Sequence, residues 1–144
     1  MIETGKKQEK VILVAAATEE IEKAERSLDE LGELVKDGGG EVCGRMIQAR
    51  DMIHTGTYIG SGKLDELKWL VWEKEADGIV CDDELSPVQL KNLEEALDCK
   101  IMDRTLVILD IFAARASTKE GKIQVELAQL KYRQSRLTGL GKSL

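Results

Sequence analysis

Short apolar runs alternate with longer amphipathic segments along this chain, and this alternation constrains the fold more than any other feature. Apolar runs occur at Val11–Ala15, at Gly78–Cys81 and, between two charged residues, within Lys100–Asp103. A run of this length without polar alternation is typical of a strand that is covered on both faces. Because helical patterns separate the runs, we expect alternating strands and helices and a mainly parallel sheet.

The segments between the runs predict four helices and one more strand. Helical patterns begin at four positions, namely Thr18, Gly60, Ser86 and Thr105. Thr18 is a favourable cap residue, and Ser86 followed by Pro87 is a typical helix start. Residues 41–50 predict the second strand, and residues 51–57 an exposed loop. The predicted fold is therefore α/β, with a small, mainly parallel four-stranded sheet flanked by helices.

The stretch from Ser117 has a different pattern, which predicts one long helix. Ser117 and Glu120 have the spacing of a capping box. Further on, apolar residues recur at heptad a/d spacing: Ile123, Leu127 and Leu130. We expect an α/β domain over residues 1–116 and a long C-terminal helix over residues 117–144. An apolar seam of this kind needs a second helix, and a homodimer of this chain could also cover it.

Charge is divided unevenly between these two parts. Residues 1–114 contain 14 Lys and Arg against 25 Asp and Glu, a net charge of −11, whereas residues 115–144 contain seven against two, a net charge of +5. An acidic body repels phosphate, which disfavours a domain that wraps nucleic acid by bulk charge. The basic stretch supplies the candidate RNA contacts, which are Arg115, Lys119, Lys122, Lys131, Arg133 and Arg136.

Several classes of protein are not expected from this sequence. No apolar run approaches the roughly 18–20 residues that span a bilayer, and Met1–Lys10 is polar and charged rather than a signal sequence. The three widely spaced cysteines predict reduced thiols and a cytoplasmic location. His54 is the only histidine, so we predict neither catalytic residues nor a metal site.

Gly60, Ser61, Gly62 and Lys63 form a glycine-rich turn before a helix, which is a candidate anion site. The phosphate-loop pattern requires Gly at position 57 and Ser or Thr at position 64, where this chain has Thr57 and Leu64. Two interpretations remain open. The turn could bind an anion through backbone N–H groups and a lysine, or it could be a tight turn that only starts a helix.

Charged residues follow the third and fourth strands, where open α/β sheets bind ligands. Asp82, Asp83 and Glu84 could hold Mg²⁺ with a nucleotide, or could face water before the Ser86 cap. Arg104 follows the fourth strand and is expected to form a structural ion pair with Asp82 or Asp83. Elsewhere, Trp69 and Trp72 lie three residues apart on one predicted helix. This spacing is more typical of core or helix-packing residues than of a base-stacking platform.

Four motifs in series resemble one known family. They are Tyr58-Ile59-Gly60-Ser61-Gly62-Lys63, Asp82-Asp83-Glu84-Leu85-Ser86-Pro87, Asp103-Arg104-Thr105, and the run Glu120-Gly121-Lys122-Ile123-Gln124-Val125-Glu126-Leu127-Ala128-Gln129-Leu130. Their order and spacing resemble the N-terminal region of the HflX family of translational GTPases. Residues 54–57 lack the proline that often precedes the first motif in that family.

The resemblance implies a larger protein with a defined activity. HflX-like proteins have an N-terminal α/β domain, an arm of two antiparallel helices and a GTPase domain that binds GTP and Mg²⁺. They bind the large ribosomal subunit and split ribosomes under the control of GTP. This chain would then be a fragment with no enzymatic activity of its own, joined in cis to the GTPase domain. The alternative is an ATP-binding α/β domain with weak NTPase activity, which would use Gly60–Lys63, Asp82, Asp83 and Arg104.

Overall fold

The computed structural model describes residues 8–141, with side chains described as far as Ser135. Strands and helices alternate over most of this length, as the apolar runs predict. In chain order the elements are β1 (Lys10–Ala17), α1 (Ile21–Asp37), β2 (Glu41–Ala49), α2 (Ser61–Glu73), β3 (Gly78–Cys81), α3 (Pro87–Leu97), β4 (Lys100–Asp103), α4 (Arg104–Arg115) and α5 (Lys119–Gly141).

The four strands form one parallel sheet in the order β2-β1-β3-β4, which confirms the predicted fold class. Helices α1 and α4 cover one face of the sheet, and α2 and α3 cover the other. The strand order reverses between β1 and β3, because β2 lies on the outer side of β1 and β4 lies on the outer side of β3. In open α/β sheets, ligands bind at such a reversal, outside the carboxyl ends of the strands.

Strand β1 lies at the centre of an aliphatic core. Val11, Leu13 and Ala15 pack on the α1–α4 side, while Ile12 and Val14 pack on the α2–α3 side, and all five are buried. Burial of a Val, Leu or Ile side chain contributes about 1.5–3 kcal/mol. The continuous apolar run in the sequence therefore reflects two cores that share one strand.

Of two predicted helix caps, Ser86 is confirmed and Thr18 is not. Ser86 caps α3 as expected, because its Oγ accepts the Gln89 N–H at 3.1 Å and the Gln89 side chain accepts the Ser86 N–H at 2.9 Å. The prediction for Thr18 is wrong. Pairing with β2 extends β1 to Ala17, so Thr18 lies in the turn and α1 begins at Ile21.

The prediction of Ser117 as the cap of the last helix is wrong by one residue. Helix α4 runs to Arg115, so Ser117 still belongs to the connection. The Oγ1 atom of Thr118 accepts the Gly121 N–H at 2.9 Å, and α5 begins at Lys119. The long helix itself is present, and it packs against α3 and α4.

Candidate functional site

The carboxyl edge of the sheet brings the candidate site residues of the body together. Gly60 is next to the end of β2, since its N–H donates to Gln48 Oε1 at 2.7 Å. Asp82 and Asp83 follow β3, and Arg104 follows β4. The structure therefore places these residues at one edge of the sheet, as their positions after the strands predict. The hydrogen bonds and ion pairs of these residues show which of them connect structural elements and which are available to a ligand.

Tyr58 joins the loop before α2 to this edge. Its ring is buried, its backbone has a left-handed φ of 68°, and its hydroxyl accepts the Ala16 N–H at 3.2 Å and donates to Asp83 Oδ2 at 2.6 Å. Burial and the neighbouring Asp83 carboxylate raise the pKa of Tyr58 above its ordinary value. Strand β3 ends at Cys81, so the phenol satisfies a β1 N–H beyond the last β1–β3 pair.

The loop that contains Tyr58 is less exposed than the sequence predicts. His54 and Tyr58 form an isolated bridge, and the N–H groups of Gly56 and Thr57 donate to His54 Nδ1 at 3.1 Å each. His54 is half-buried and stabilises the turn. Its backbone oxygen also accepts from the Gln89 side chain at 2.8 Å, which fastens the loop to α3.

The glycine-rich turn does start a helix, and the N–H of Gly60 and the Lys63 ammonium have partners within the protein. A Cβ atom on Gly60 would lie 2.5 Å from Arg50 Nη1, whereas one on Gly62 would have no heavy atom within 4 Å. Lys63 forms an ion pair with Glu66 at 3.0 Å. Gly60 thus permits a close approach of the Gln48 and Arg50 side chains, and the turn starts α2. An anion site at this turn stays a prediction.

Arg104 forms the expected ion pair, and its partner is Asp82. The guanidinium Nη2 lies 2.7 Å from Asp82 Oδ1 and also donates to the Ser27 backbone oxygen at 2.9 Å. The Ser27 hydroxyl donates to the other Asp82 oxygen at 2.6 Å. Burial alone would lower the pKa of Arg104, but the bonds to Asp82 and Glu30 raise it overall. The pair ties α1, β3 and α4 together.

Asp103 is a buried carboxylate whose role the sequence did not reveal. It accepts the N–H groups of Leu85 at 2.9 Å and Leu106 at 3.0 Å, and it caps α4. The Tyr132 hydroxyl of α5 also donates to it. Asp103 thereby links the turn after β3, α4 and α5. Its position immediately before a helix was the only available signal.

A small cleft of about 160 Å³ lies where the sheet reverses direction, between the ends of β1 and β3. Its charged lining consists of Glu19, Glu20, Lys23, Asp82 and Asp83, and Lys23 is paired with Glu19 at 3.0 Å. Carboxylates outnumber the lysine, so the cleft repels phosphate. Asp82 and Asp83 are already bonded to protein groups. The lining therefore disfavours direct contact with a nucleotide phosphate.

Residues 8–141 contain neither a metal-binding cluster nor a membrane-spanning helix. Within that part of the chain, no group of three or more His, Cys, Asp or Glu side chains is arranged to hold a metal ion. No helix there is both long enough and apolar enough to cross a bilayer.

Among the thiols, Cys81 is buried and Cys43 and Cys99 are half-buried. Burial raises the pKa of Cys99 to about 11.

Helix α5 presents two different sides. Val125, Ala128 and Tyr132 are half-buried, and Gln129 donates to Asp110 of α4 at 3.0 Å. At about 100° per residue, the heptad seam lies on roughly the opposite side of the helix. The seam residues are exposed by 54, 49 and 62% for Ile123, Leu127 and Leu130, respectively.

The candidate RNA-contact residues are distributed along the exposed part of this helix. Lys119, Lys122, Lys131 and Arg133 are exposed. Arg115 is the last residue of α4, and its Nη2 atom lies 3.7 Å from Asp37 Oδ2. The side chain of Arg136 is outside the described residues. The structure therefore places four cations of α5 at the surface, beside the apolar seam.

The prediction that both tryptophans pack in the interior is wrong. Helix α2 directs Leu67 and Val71 into the core, so Trp69 and Trp72 lie on its outer side. Their exposed fractions are 59 and 75%.

Comparison with known proteins gives two family matches in tandem. Residues 25–113 match a family described as GTP-binding GTPase N-terminal, and residues 115–144 match GTP-binding GTPase Middle Region. A GTPase HflX of Lacrimispora saccharolytica is 62% identical over all 144 residues, and that of Escherichia coli is 43% identical over 110. This chain covers 34 and 26% of those relatives, respectively.

Solved structures show the same fold. A GTP-binding protein of the hyperthermophilic archaeon Sulfolobus solfataricus in complex with GDP matches 94% of this chain with a TM-score of 0.68 and 25% identity. A second structure, described as SsGBP and GDP complex, matches 92% with a TM-score of 0.71 and 25% identity. The matches cover 40 and 37% of those chains, respectively.

The fold and these matches define the class: this is the N-terminal region of a GTP-binding GTPase. More particularly, the chain belongs to the HflX family. It spans about a third of the length of the HflX relatives with which it aligns over all 144 residues.

Proposed function

We propose that this chain is the ribosome-binding and positioning module of an HflX GTPase. In this proposal the whole protein binds the large ribosomal subunit and splits ribosomes under the control of GTP. The α/β domain of residues 1–116 acts as a rigid base, and residues 117–144 form the first helix of a two-helix arm. Family membership supports the proposal, and the surface of α5 gives it a physical basis.

The observation that best supports RNA binding is the separation of charge around α5. Its cations Lys119, Lys122, Lys131 and Arg133 are exposed, while the opposite side is docked on the acidic body. Cations that neutralise phosphates release counterions, which favours binding to RNA. The acidic body faces away from such a contact because like charges repel. RNA would therefore approach the molecule from the α5 side.

The proposal assigns catalysis to a GTPase domain in cis, outside these 144 residues. That domain would bind GTP and Mg²⁺. The polar groups of Gly60 and Lys63 are bonded to Gln48 and Glu66, and Asp82 is bonded to Arg104. The whole protein is proposed to act in the cytoplasm, where ribosomes are found.

The alternative function, an ATP-binding α/β domain with weak NTPase activity, has less support from the geometry. It requires anion-binding groups at the sheet edge, where carboxylates predominate. Calorimetric titration of this chain with ATP and Mg²⁺ tests it directly. We expect no saturable heat, and a saturable titration would favour the alternative.

Co-sedimentation with ribosomal subunits tests the proposed function. The 144-residue chain is centrifuged with purified large or small subunits across a series of salt concentrations. We expect it to pellet with large subunits at low salt and to be released as salt rises. If it stays in the supernatant with large subunits at low salt, or pellets equally with small subunits, the proposal is wrong.

A further inference from the structure

Helix α2 has an exposed aromatic surface that no function proposed above uses. Trp69 and Trp72 lie one turn apart on the outer side of the helix, with 59 and 75% of their surfaces accessible. Large aromatic side chains are costly to expose and are enriched in the centres of protein interfaces. The core of the domain is complete without them, because Leu67 and Val71 supply the inner side of α2.

Trp72 also lines an open groove of about 810 Å³ between the C-terminal half of α2 and the end of α3. Val71, Ala76 and Leu97 form an apolar part of its lining. The groove therefore offers an apolar surface and one exposed indole ring. A bound chain would bury part of both.

The charges around this surface are mainly negative. Glu73, Glu75 and Asp98 line the groove, against one cation, Lys68. Glu75 and Asp98 both have left-handed backbone conformations, with φ of 52° and 51°, where the two helices end. Both residues line the groove just after the end of a helix. Such a surface attracts cations and repels phosphate.

An indole ring next to carboxylates is chemically suited to a guanidinium or ammonium group. The negative face of the ring attracts a cation, and carboxylates bind guanidinium groups through paired hydrogen bonds. The aliphatic stem of an arginine or lysine can pack on the apolar lining while its charge reaches the rim. RNA could stack on the tryptophans, but its phosphates would meet the carboxylates.

We propose that the surface formed by Trp69, Trp72 and the groove residues binds a basic, arginine-containing segment of a partner protein. This surface is separate from the cations of α5. The molecule would thus have two binding surfaces with opposite charge preference, one for RNA and one for a basic polypeptide. The inference goes beyond the proposed function and does not depend on it.

The chain supplies its own reporter for this proposal, because Trp69 and Trp72 are its only tryptophans. A peptide of nine arginines is titrated into the 144-residue chain while tryptophan emission is recorded. We expect a saturable change in emission that weakens as salt is added. No change, or an equal change with a single-stranded RNA oligonucleotide, would overturn the proposal.

Matched charge reversals separate this surface from the general acidity of the body. Glu73→Lys together with Glu75→Lys is expected to weaken peptide binding by about tenfold or more. Glu22→Lys together with Glu25→Lys, on α1 at the opposite face of the sheet, makes the same change in net charge and is expected to change peptide binding less than about twofold. Circular dichroism confirms that each variant is folded. Equal losses in both variants would show attraction to net charge alone, and the proposal would then be wrong.

Discussion

Tyr58 shows how one residue of a family motif can serve the fold. Its left-handed backbone places a buried phenol between a β1 N–H and the Asp83 carboxylate. A residue other than glycine in this conformation is held there by its surroundings, at a cost of about 1–2 kcal/mol. The motif that begins at Tyr58 therefore has a structural role at the sheet edge.

Replacing Tyr58 with Phe should destabilise the protein and change its response to alkali. The variant leaves the Ala16 N–H and Asp83 without the phenol, at a cost of about 1–3 kcal/mol. The folded-state pKa of Tyr58 lies above its ordinary value of 10.0, so its contribution is complete below about pH 10 and is lost as the pH rises further. Urea unfolding at about pH 8 and pH 11 measures both effects.

The alkaline loss of stability should be smaller in Tyr58→Phe than in the unmodified protein. The slope from one such group approaches about 1.4 kcal/mol per pH unit. The buried thiols have raised pKa values and continue to contribute in both proteins. Identical slopes would mean that Tyr58 does not titrate differently in the folded state.

Gly60 and Gly62 provide a matched pair that tests the structural role of the glycine-rich turn. Gly60→Ala should cost about 1 kcal/mol, because the new Cβ displaces Arg50 and disturbs the Gln48 bond. Gly62→Ala should be neutral or stabilising by up to about 1 kcal/mol, since its Cβ meets open space inside a helix. Thermal unfolding measures both, and a strong destabilisation by Gly62→Ala would contradict the account.

At the residue scale, the sequence predicted those contacts that depend on position along the chain. Asp82 and Arg104 follow parallel strands, so their meeting at one edge could be foreseen. The contacts of Tyr58 and Asp103 could not, because they depend on a left-handed turn and on where α5 docks. Neither feature has a local signature in one sequence.

At the scale of elements, α5 is the part with the most distinctive surface. One side is docked through Tyr132 and Gln129, while the heptad seam on the other side remains exposed. The sequence predicted the heptad seam but not which side of the helix the body would cover. Hydrophobic periodicity places apolar residues on one side of a helix. Which side docks on the α/β domain depends on the shape of that domain.

Tyr132→Phe tests the docking of α5. Loss of the hydroxyl leaves Asp103 with one donor fewer, which should weaken docking by about 1–3 kcal/mol. Amide hydrogen exchange should therefore be faster in α5 and little changed in β1. Gln134→Ala, at an exposed position of the same helix, serves as the control. Unchanged exchange in α5 would show that the bond to Asp103 does not hold the helix.

The exposed seam predicts self-association of this chain. Ile123, Leu127 and Leu130 would be buried between two copies, which is favourable at about 25 cal/mol per Å². Sedimentation equilibrium should therefore show dimers at high concentration. Leu127→Glu should abolish them, whereas Val88→Glu, at an exposed apolar position on α3, should not. A monomer at every concentration would contradict this prediction.

Helix ends were predicted less accurately than helices. Ser86 was identified correctly because Pro87 and Gln89 reinforce it locally. The cap predictions for Thr18 and Ser117 were wrong because the preceding elements extend further than their apolar patterns indicate. Strand β1 runs to Ala17, and helix α4 runs to Arg115. The outward position of Trp69 and Trp72 was also missed. Their spacing places both side chains on the same side of the helix but does not show whether that side faces the core.

At the scale of the whole molecule, charge and topology give the protein two unlike ends. The sheet, its four covering helices and the acidic cleft form a base stabilised by aliphatic packing and the Asp82–Arg104 pair. Helix α5 adds a basic surface beside that base. We interpret this separation as the physical reason why RNA binding would be directed to the helix and not to the body.

The salt dependence of large-subunit binding tests this claim most directly. Binding is measured for the unmodified chain, for Lys119→Glu with Lys122→Glu, and for the control Arg26→Glu with Lys36→Glu on α1. Acidic residues are favourable in the first turn of a helix, so the α5 variant should fold. We predict a loss of affinity of about tenfold or more and a salt slope lower by about 1–2 for the α5 variant alone. Equal affinities and slopes in all three proteins would contradict the account.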